Sequence, residues 1–253
     1  MVLYEVYLTA AVSDADAPKA RALLGGVTEM SERHQFTKVR YLQREDPKPN
    51  SLDRFKELAK EKSPNASRWE QLHQILSKQS YILQERVNIT NEVASANSGM
   101  PPPPLSANKP PLLKWNDWPD PQTQSYPAFI TQRKTIEIAD RRLNKILADS
   151  KFGTKSQSIE ESYSWSLKNV EYTLTKFYYI TTADPQHILD QTSWQPLAPM
   201  WILFVRLHSD HSPERMRQVQ AQLKEVRERF FGIFDFRVFD RRAQDTRIMQ
   251  PRP

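Results

Sequence analysis

The chain of 253 residues contains no cysteine, so no disulfide can cross-link it and no thiolate can bind a metal or act as a nucleophile. It has only five glycines, and they form neither the GxGxxG pattern nor the GxxxxGK pattern that cradles phosphate groups. No run of eighteen uncharged apolar residues occurs, and the opening residues lack the basic and apolar stretches of a secretory signal. These absences predict a soluble intracellular protein.

The residue patterns of catalytic and metal sites are missing as well. Of the five histidines, only His208 and His211 lie close together, and no HExxH or GxSxG motif is present. Triphosphatase barrels of the CYTH type carry a Glu-x-Glu-x-Lys strand near the N-terminus, where the acids bind divalent metal, but the first strand here offers only Glu5. We therefore predict no catalytic residue, no cofactor and no metal site, with a metal-dependent triphosphatase as the weakest alternative.

Proline, in contrast, is abundant and unevenly distributed. Of the 19 prolines, Pro101 to Pro104 form a run, and five more follow before residue 128. Such a segment cannot hold a hydrogen-bonded ladder and has too little apolar surface to offset the entropy of ordering. The pattern predicts a disordered, proline-rich insertion at 91–127 within one domain at 1–240. Residues 241–253 are predicted to form a basic flexible tail.

The charge balance leaves two kinds of partner open. The net charge is +6 and the pI is near 9.4, which suits an acidic partner, either a nucleic acid or a protein. The 36 basic residues are interspersed with 30 acidic ones, and no dense basic run marks a phosphate-binding stripe. A nucleic-acid-binding barrel remains an alternative, because strand aromatics can stack on bases; its binding would weaken steeply with salt.

Hydrophobic alternation predicts mostly strands. From Leu3 to Val12, apolar residues recur at every second position, with Glu5, Tyr7 and Thr9 on the other face. About seven or eight strands with a few short helices favour an α+β, mostly β fold, a single closed antiparallel barrel. The predicted strands cover residues 3–12, 34–43, 79–90, 129–139, 162–168, 170–181 and 200–208.

Helices are predicted at a few places. Ser212-Pro213-Glu214 is a helix start signal, with a hydroxyl cap, a proline in the first turn and an early acid. The stripe that follows has alternating spacings of three and four and consists of Met216, Val219, Leu223, Val226 and Phe230. Shorter helices are predicted after residue 16, where Gly25-Gly26 should end the helix, and near 52–58 and 143–147.

Several of these segments resemble the fungal form of subunit 18 of the Mediator transcription coactivator. The resemblance is carried by residues 4–10, by Trp69–His73 with Leu76–Gln84, and by the strands at 174–180 and 201–207. It implies a CYTH-like barrel without catalytic acids. It also implies a nuclear, non-catalytic subunit of the Mediator head module that couples regulators to RNA polymerase II, pairs with subunit 20 and receives a helix from subunit 8. No membrane and no small-molecule substrate are expected.

Candidate partner-binding residues follow from physical criteria, since aromatic and arginine side chains dominate the energetics of protein interfaces. The competing interpretation is that strand aromatics fill the core. Trp115 and Trp118 differ, because a disordered insertion offers them no core, so they are predicted to form a docking segment or a patch folded back on the barrel. The other candidates are Arg133, Trp165, Tyr172, Tyr178, Trp194 and Arg206.

Overall fold

The computed structural model describes residues 3–45, 52–98, 109–121, 127–180, 189–210 and 212–239. A short 3-10 turn at Gln191–Ser193 precedes the eighth strand. In chain order the elements are β1 (Leu3–Ser13), α1 (Ala17–Thr28), β2 (Arg33–Arg44), α2 (Asp53–Leu58), α3 (Ala66–Lys78), β3 (Leu83–Asn88), α4 (Thr90–Ser98), β4 (Leu112–Asn116), β5 (Thr131–Ala139), α5 (Leu143–Asp149), β6 (Phe152–Leu167), β7 (Val170–Tyr179), β8 (Gln195–Pro196), β9 (Met200–Ser209) and α6 (Pro213–Arg229).

Eight strands close into an antiparallel barrel. Their order is β6-β2-β3-β4-β5-β1-β9-β7, and β7 returns to pair with β6. The short β8 pairs with the end of β7, beyond the part of β7 that pairs with β9. Closure leaves the strands few free edges, which is the usual way for an antiparallel sheet to avoid edge-to-edge association. The predicted closed antiparallel barrel is confirmed.

The alternation along β1 decides which side of the wall is apolar. Tyr4, Val6 and Leu8 point outward into a buried cluster, and Glu5 and Tyr7 point into the lumen. Because successive side chains of a strand face opposite sides, the register of β1 with β5 and β9 extends this division around the wall. The main apolar core therefore lies outside the barrel, under the helices, and the lumen is lined by both charged and apolar side chains.

Helices cover the outer wall at two main sites. The larger cluster packs α1 and α6 on β1, β6, β7 and β9, and the second packs α2, α3 and α5 on β2, β3, β4 and β5. A smaller cluster joins α4 to β2 and β6 and includes Trp194. Within the described ranges, no helix combines the length and the apolar character needed to span a membrane.

The prediction that residues 91–127 cannot hold a ladder is wrong for part of that segment. The helix α4 continues to Ser98, and β4 pairs with both β3 and β5. The reason is local: Leu112 to Asn116 contains no proline and carries Leu113 and Trp115 on one face. Residues 99–108 and 122–126, and the predicted tail at 241–253, lie outside the described residues. The domain boundaries stay a prediction.

Two helices depart from the sequence expectation. The helix α1 does not end at Gly25-Gly26 but continues to Thr28, and Glu29 in the left-handed region (φ 54°) follows it. A glycine stops a helix when its backbone turns left-handed, and neither of these two does so. The sequence analysis also missed α3, although its buried residues Trp69, Leu72 and Leu76 show the helical spacing of three and four.

The helix α6 begins at the predicted start signal, which is confirmed. The Ser212 hydroxyl accepts a hydrogen bond from the Arg215 N–H at 3.3 Å, and Pro213 occupies the first turn. We expect Ser212→Ala to lower the free energy of unfolding by about 1 kcal/mol, because an N-terminal N–H loses its acceptor. Chemical denaturation would measure this, with Ser212→Thr as the control that keeps the cap. An equal loss in both variants would contradict the capping role.

Candidate functional site

The lumen of the barrel holds a cluster of charged side chains. Inward-facing residues from all eight wall strands line a cavity of about 700 Å³, which is within the roughly 300–1,000 Å³ typical of ligand pockets. One part is charged, around Glu5, Arg133 and Arg206, and another part is apolar, around Phe177 and Ile202. The chemistry open to the protein inside the barrel depends on how these charges are arranged.

Glu5 is the centre of the charged part. Its side chain is 1% exposed, and its carboxylate lies 3.2 Å from Lys114 Nζ, 2.6 Å from Arg133 Nη2 and 3.4 Å from Arg206 Nε. Burial by itself raises the pKa of a carboxyl group, but the three cations outweigh it and hold the pKa of Glu5 well below its usual range. Glu5 is therefore ionised and fully engaged with the cations of the barrel itself.

Two other lumen acids, Glu160 and Glu137, are also paired with cations. Arg86 donates to Glu160 through both terminal nitrogens, and although burial disfavours its charge, Glu160 raises the pKa of Arg86. Lys114 Nζ also lies 2.9 Å from Glu137. Among the described residues, no group of three or more histidine and acidic side chains could hold a metal ion. The arrangement stabilises the wall and offers no cluster of free carboxylates for a divalent cation.

Most of these lumen residues were missed by the sequence analysis. It singled out Glu5, Arg133 and Arg206, but Arg86, Lys114 and Glu160 lie on separate strands and carry no motif. Alternation within each strand does place them on the inward face, as with Lys114 and Asn116 on β4. Only the register between strands brings them together, as with Glu5 opposite Arg133.

The predicted partner-binding aromatics are largely buried. Trp165 lies in the cluster beneath α1 and α6, Tyr172 meets Phe230 in the same cluster at 6.2 Å between ring centroids, and Trp194 packs on Phe36 at 5.3 Å. Trp165, Tyr172 and Trp194 are at most 8% exposed. A side chain so deeply buried has almost no surface to offer a partner, so these three fill the core, as the competing interpretation held.

The prediction that Trp115 has no core to enter is wrong. It is 2% exposed, lies on β4 within the cluster of α2, α3 and α5, and meets Tyr81 at 5.4 Å. Trp118, two residues beyond β4, is half-buried. The two tryptophans therefore do not form one docking patch, and of the two only Trp118 keeps the prediction of partner binding.

The remaining candidates divide between the lumen and the outer wall. Arg133 and Arg206 face the lumen, where they contact Glu5. Tyr178 is half-buried on the outer wall and donates a hydrogen bond to Glu161 at 2.6 Å; burial and this carboxylate raise the pKa of Tyr178. Partner binding stays a prediction for these three residues, which share no common surface.

A different set of residues forms an exposed apolar surface that the sequence analysis did not predict. Near the last residues of β1 lie the start of β9, the end of β7 and the chain that follows α6, which reaches Ala10. This end of the barrel, called here the apolar end, carries large exposed hydrophobic side chains. They are Tyr179 at 49%, Leu197 at 61%, Met200 at 39%, Phe231 at 80% and Ile233 at 56% exposure.

Several solved structures are similar to this chain. A chain of the Schizosaccharomyces pombe Mediator head module superimposes with a TM-score of 0.62 at 11% identity, covering 92% of this chain and 97% of that one. The PH1819 protein of Pyrococcus horikoshii gives 0.48 at 11% identity, covering 93% and 94% of the two chains. A Hippeastrum protein described as a putative adenylyl cyclase with a dominant triphosphatase activity gives 0.43 at 8% identity, covering 95% and 96%.

No curated protein matches the sequence. A family model described as Med18 protein matches residues 4–247, which includes every strand of the barrel, the charged lumen and α6. A match over nearly the whole chain means that this chain belongs to the Med18 family.

Proposed function

We propose that the chain is a non-catalytic interaction subunit of the Mediator head module, where it helps to couple regulators to RNA polymerase II. The observation that carries this proposal is the Med18 family match across residues 4–247. The lumen supports it: Glu5 is bound by Lys114, Arg133 and Arg206 and is not held free for substrate. Such a subunit acts in the nucleus.

We further propose that the apolar end is a partner-facing surface. Scattered exposed hydrophobic residues are ordinary, but here five large ones lie at one end of the barrel, and such a concentration of exposed apolar side chains is typical of protein interfaces. By the family resemblance, the proposed partners are the similarly folded subunit 20 and a C-terminal helix of subunit 8. A partner covering this end would remove Leu197 and Phe231 from water.

Co-assembly tests this function. We expect the chain, co-expressed with subunits 20 and 8 of the same organism, to elute with them as one complex. The double variant Leu197→Asp/Phe231→Asp should weaken the complex by tenfold or more, because each carboxylate would be desolvated in an apolar contact. Size-exclusion chromatography and titration calorimetry would measure this. Met30→Asp, at the exposed residue after α1, is the matched control.

Two results would contradict these proposals. A chain that elutes alone when both subunits are present in excess would overturn the assignment to the head module. A double variant that assembles as tightly as Met30→Asp would overturn the apolar end as the interface while leaving the assignment intact.

The lumen geometry also predicts an absence of phosphohydrolysis. We expect no phosphate release from inorganic triphosphate with magnesium or manganese, because Glu5 and Glu160 are neutralised by arginine and lysine side chains and cannot also hold a cation. A colorimetric phosphate assay would check this. Turnover by the wild type that disappears in Glu5→Ala would show a catalytic lumen and would replace the scaffold proposal.

A further inference from the structure

The barrel seam between β1 and β5 is incomplete. The strand β1 pairs with β9 from Tyr4 to Ser13, but with β5 only from Leu3 to Tyr7. Beyond Tyr7, the edge of β1 that faces away from β9 is open to another strand. The residues that occupy it are 235–239, called here the terminal segment.

The terminal segment is held on β1 by a short ladder. The Arg237 N–H donates to the Thr9 carbonyl at 2.9 Å, and the Thr9 hydroxyl donates to the Arg237 carbonyl. Phe236 forms a bridge with Ala10 and is buried in the cluster of α1 and α6. The segment thus adds a partial strand where β5 has already diverged.

This pairing fixes the direction of the neighbouring backbone groups. In an antiparallel ladder, the N–H and C=O of one residue point to one side and those of the next residue to the other. Arg237 directs its N–H and its C=O at Thr9, so if the segment stays extended, the groups of Phe236 and Val238 are expected to point away from β1. The terminal segment therefore presents a new strand edge on its outer side.

A groove lies along that edge. It has a volume of about 730 Å³ and is lined on one side by residues 236–239 and on the other by Phe129 and Arg227. The Arg227 guanidinium lies 4.3 Å from the centroid of the Phe129 ring. The Arg237 side chain is 78% exposed and pairs with Asp235, which is also exposed. Both charged side chains among the described lining residues are arginines, so the groove favours an acidic occupant.

We propose that this groove binds an extended, acidic segment of a partner protein by strand addition to the terminal segment. The backbone groups of Phe236 and Val238 supply the main-chain pairing, Phe129 supplies an apolar wall, and Arg227 and Arg237 receive the acidic side chains. The inference rests on the proposed function as a partner-binding subunit and names the chemistry of one partner. None of the five exposed side chains of the apolar end is among the residues that line this groove.

The probe is a fluorescein-labelled hexapeptide in which aspartate alternates with valine or phenylalanine, and its control has lysine in place of each aspartate. Fluorescence anisotropy with the full chain should show saturable binding of the acidic peptide, weakened by added salt. Arg237→Glu should reduce its affinity by roughly tenfold or more. Arg217→Glu, an equal charge change at an exposed position of the same helix that carries Arg227, is the matched control.

A second variant tests strand addition itself. Val238→Pro removes an N–H that points into the groove and keeps the contacts of Arg237 with β1, and proline after an extended residue is compatible with the backbone. We expect it to abolish most of the peptide binding, whereas Val238→Ala should retain it. A thermal unfolding midpoint within about 2 °C of wild type would show that each variant is folded.

The outcomes separate this inference from the proposed function. Loss of peptide binding in Arg237→Glu and Val238→Pro, with co-assembly of the head subunits unchanged, supports the groove. No saturable binding of the acidic peptide, equal binding of the lysine peptide, or binding unchanged in both variants overturns it. Displacement of the peptide by equimolar single-stranded RNA also overturns it, because the groove would then be a nucleic-acid site. Failure of co-assembly with peptide binding intact would count against the head-module assignment alone.

Discussion

Replacing Glu5 with glutamine is expected to lower the free energy of unfolding by about 3–5 kcal/mol, as when one partner of a buried ion pair is removed. Lys114, Arg133 and Arg206 would then share the lumen without the carboxylate that neutralises them. Urea denaturation followed by tryptophan fluorescence would measure the loss. Since the loss comes from uncompensated charge and not from lost volume, the near-isosteric glutamine is the appropriate replacement.

The matched control is Glu137→Gln. Glu137 also pairs with Lys114, but its side chain is 39% exposed, so water can replace the lost partner and the expected loss is below about 1 kcal/mol. Equal losses in the two variants would show that Glu5 is not the electrostatic centre of the lumen.

The same residue predicts a pH dependence. Because the folded pKa of Glu5 is depressed below its ordinary value of 4.5, its contribution to stability is fully present above pH 4.5 and is lost as pH falls toward the folded pKa. The difference in unfolding free energy between wild type and Glu5→Gln should therefore be constant above pH 4.5 and shrink below it. A difference that grew on acidification would contradict an ionised Glu5.

Trp115→Ala is expected to lower the free energy of unfolding by a similar amount, about 3–5 kcal/mol, because it opens a large cavity between β4 and the helices α2, α3 and α5. Trp118→Ala, three residues later and half-buried, should cost below about 1.5 kcal/mol. Chemical denaturation of both variants gives the comparison. If both losses were below 1.5 kcal/mol, β4 would not be an integral strand of the barrel.

Local pattern was enough to place most elements. The alternation in β1, the apolar run of β9 and the capped, striped α6 each lie within one element, so they can be recognised from a short window. A short window gave the wrong prediction for Trp115, because the segment 91–127 as a whole is rich in proline. The five residues of β4 contain no proline, and the strands that pair with them, β3 and β5, lie elsewhere in the chain. The short window also failed at Gly25-Gly26, where helix packing on the wall overrode a local stop signal.

The functional residues show the same limit. Tyr172 and Trp165 are of the residue types that are common in interface hot spots, but the fold buries them beneath α6 and α1. Nothing in the sequence marks Leu197 and Phe231 as exposed, and they share the apolar end only because β8 and the chain after α6 finish at the same end of the barrel. Which hydrophobic residues remain exposed is settled by the closure of the sheet.

By itself, the sequence determined the strand-rich composition, the face of β1 that Glu5 shares with Tyr7 and Thr9, the capped start of α6 and the lack of cysteine and of glycine-rich phosphate-binding motifs. Only the tertiary structure decided that Glu5 meets Lys114, Arg133 and Arg206, that Trp115 is core, and that the terminal segment completes the seam beside β1. The physical reason is that alternation fixes the face on which a side chain lies, whereas strand register and barrel closure fix which distant side chains share that face.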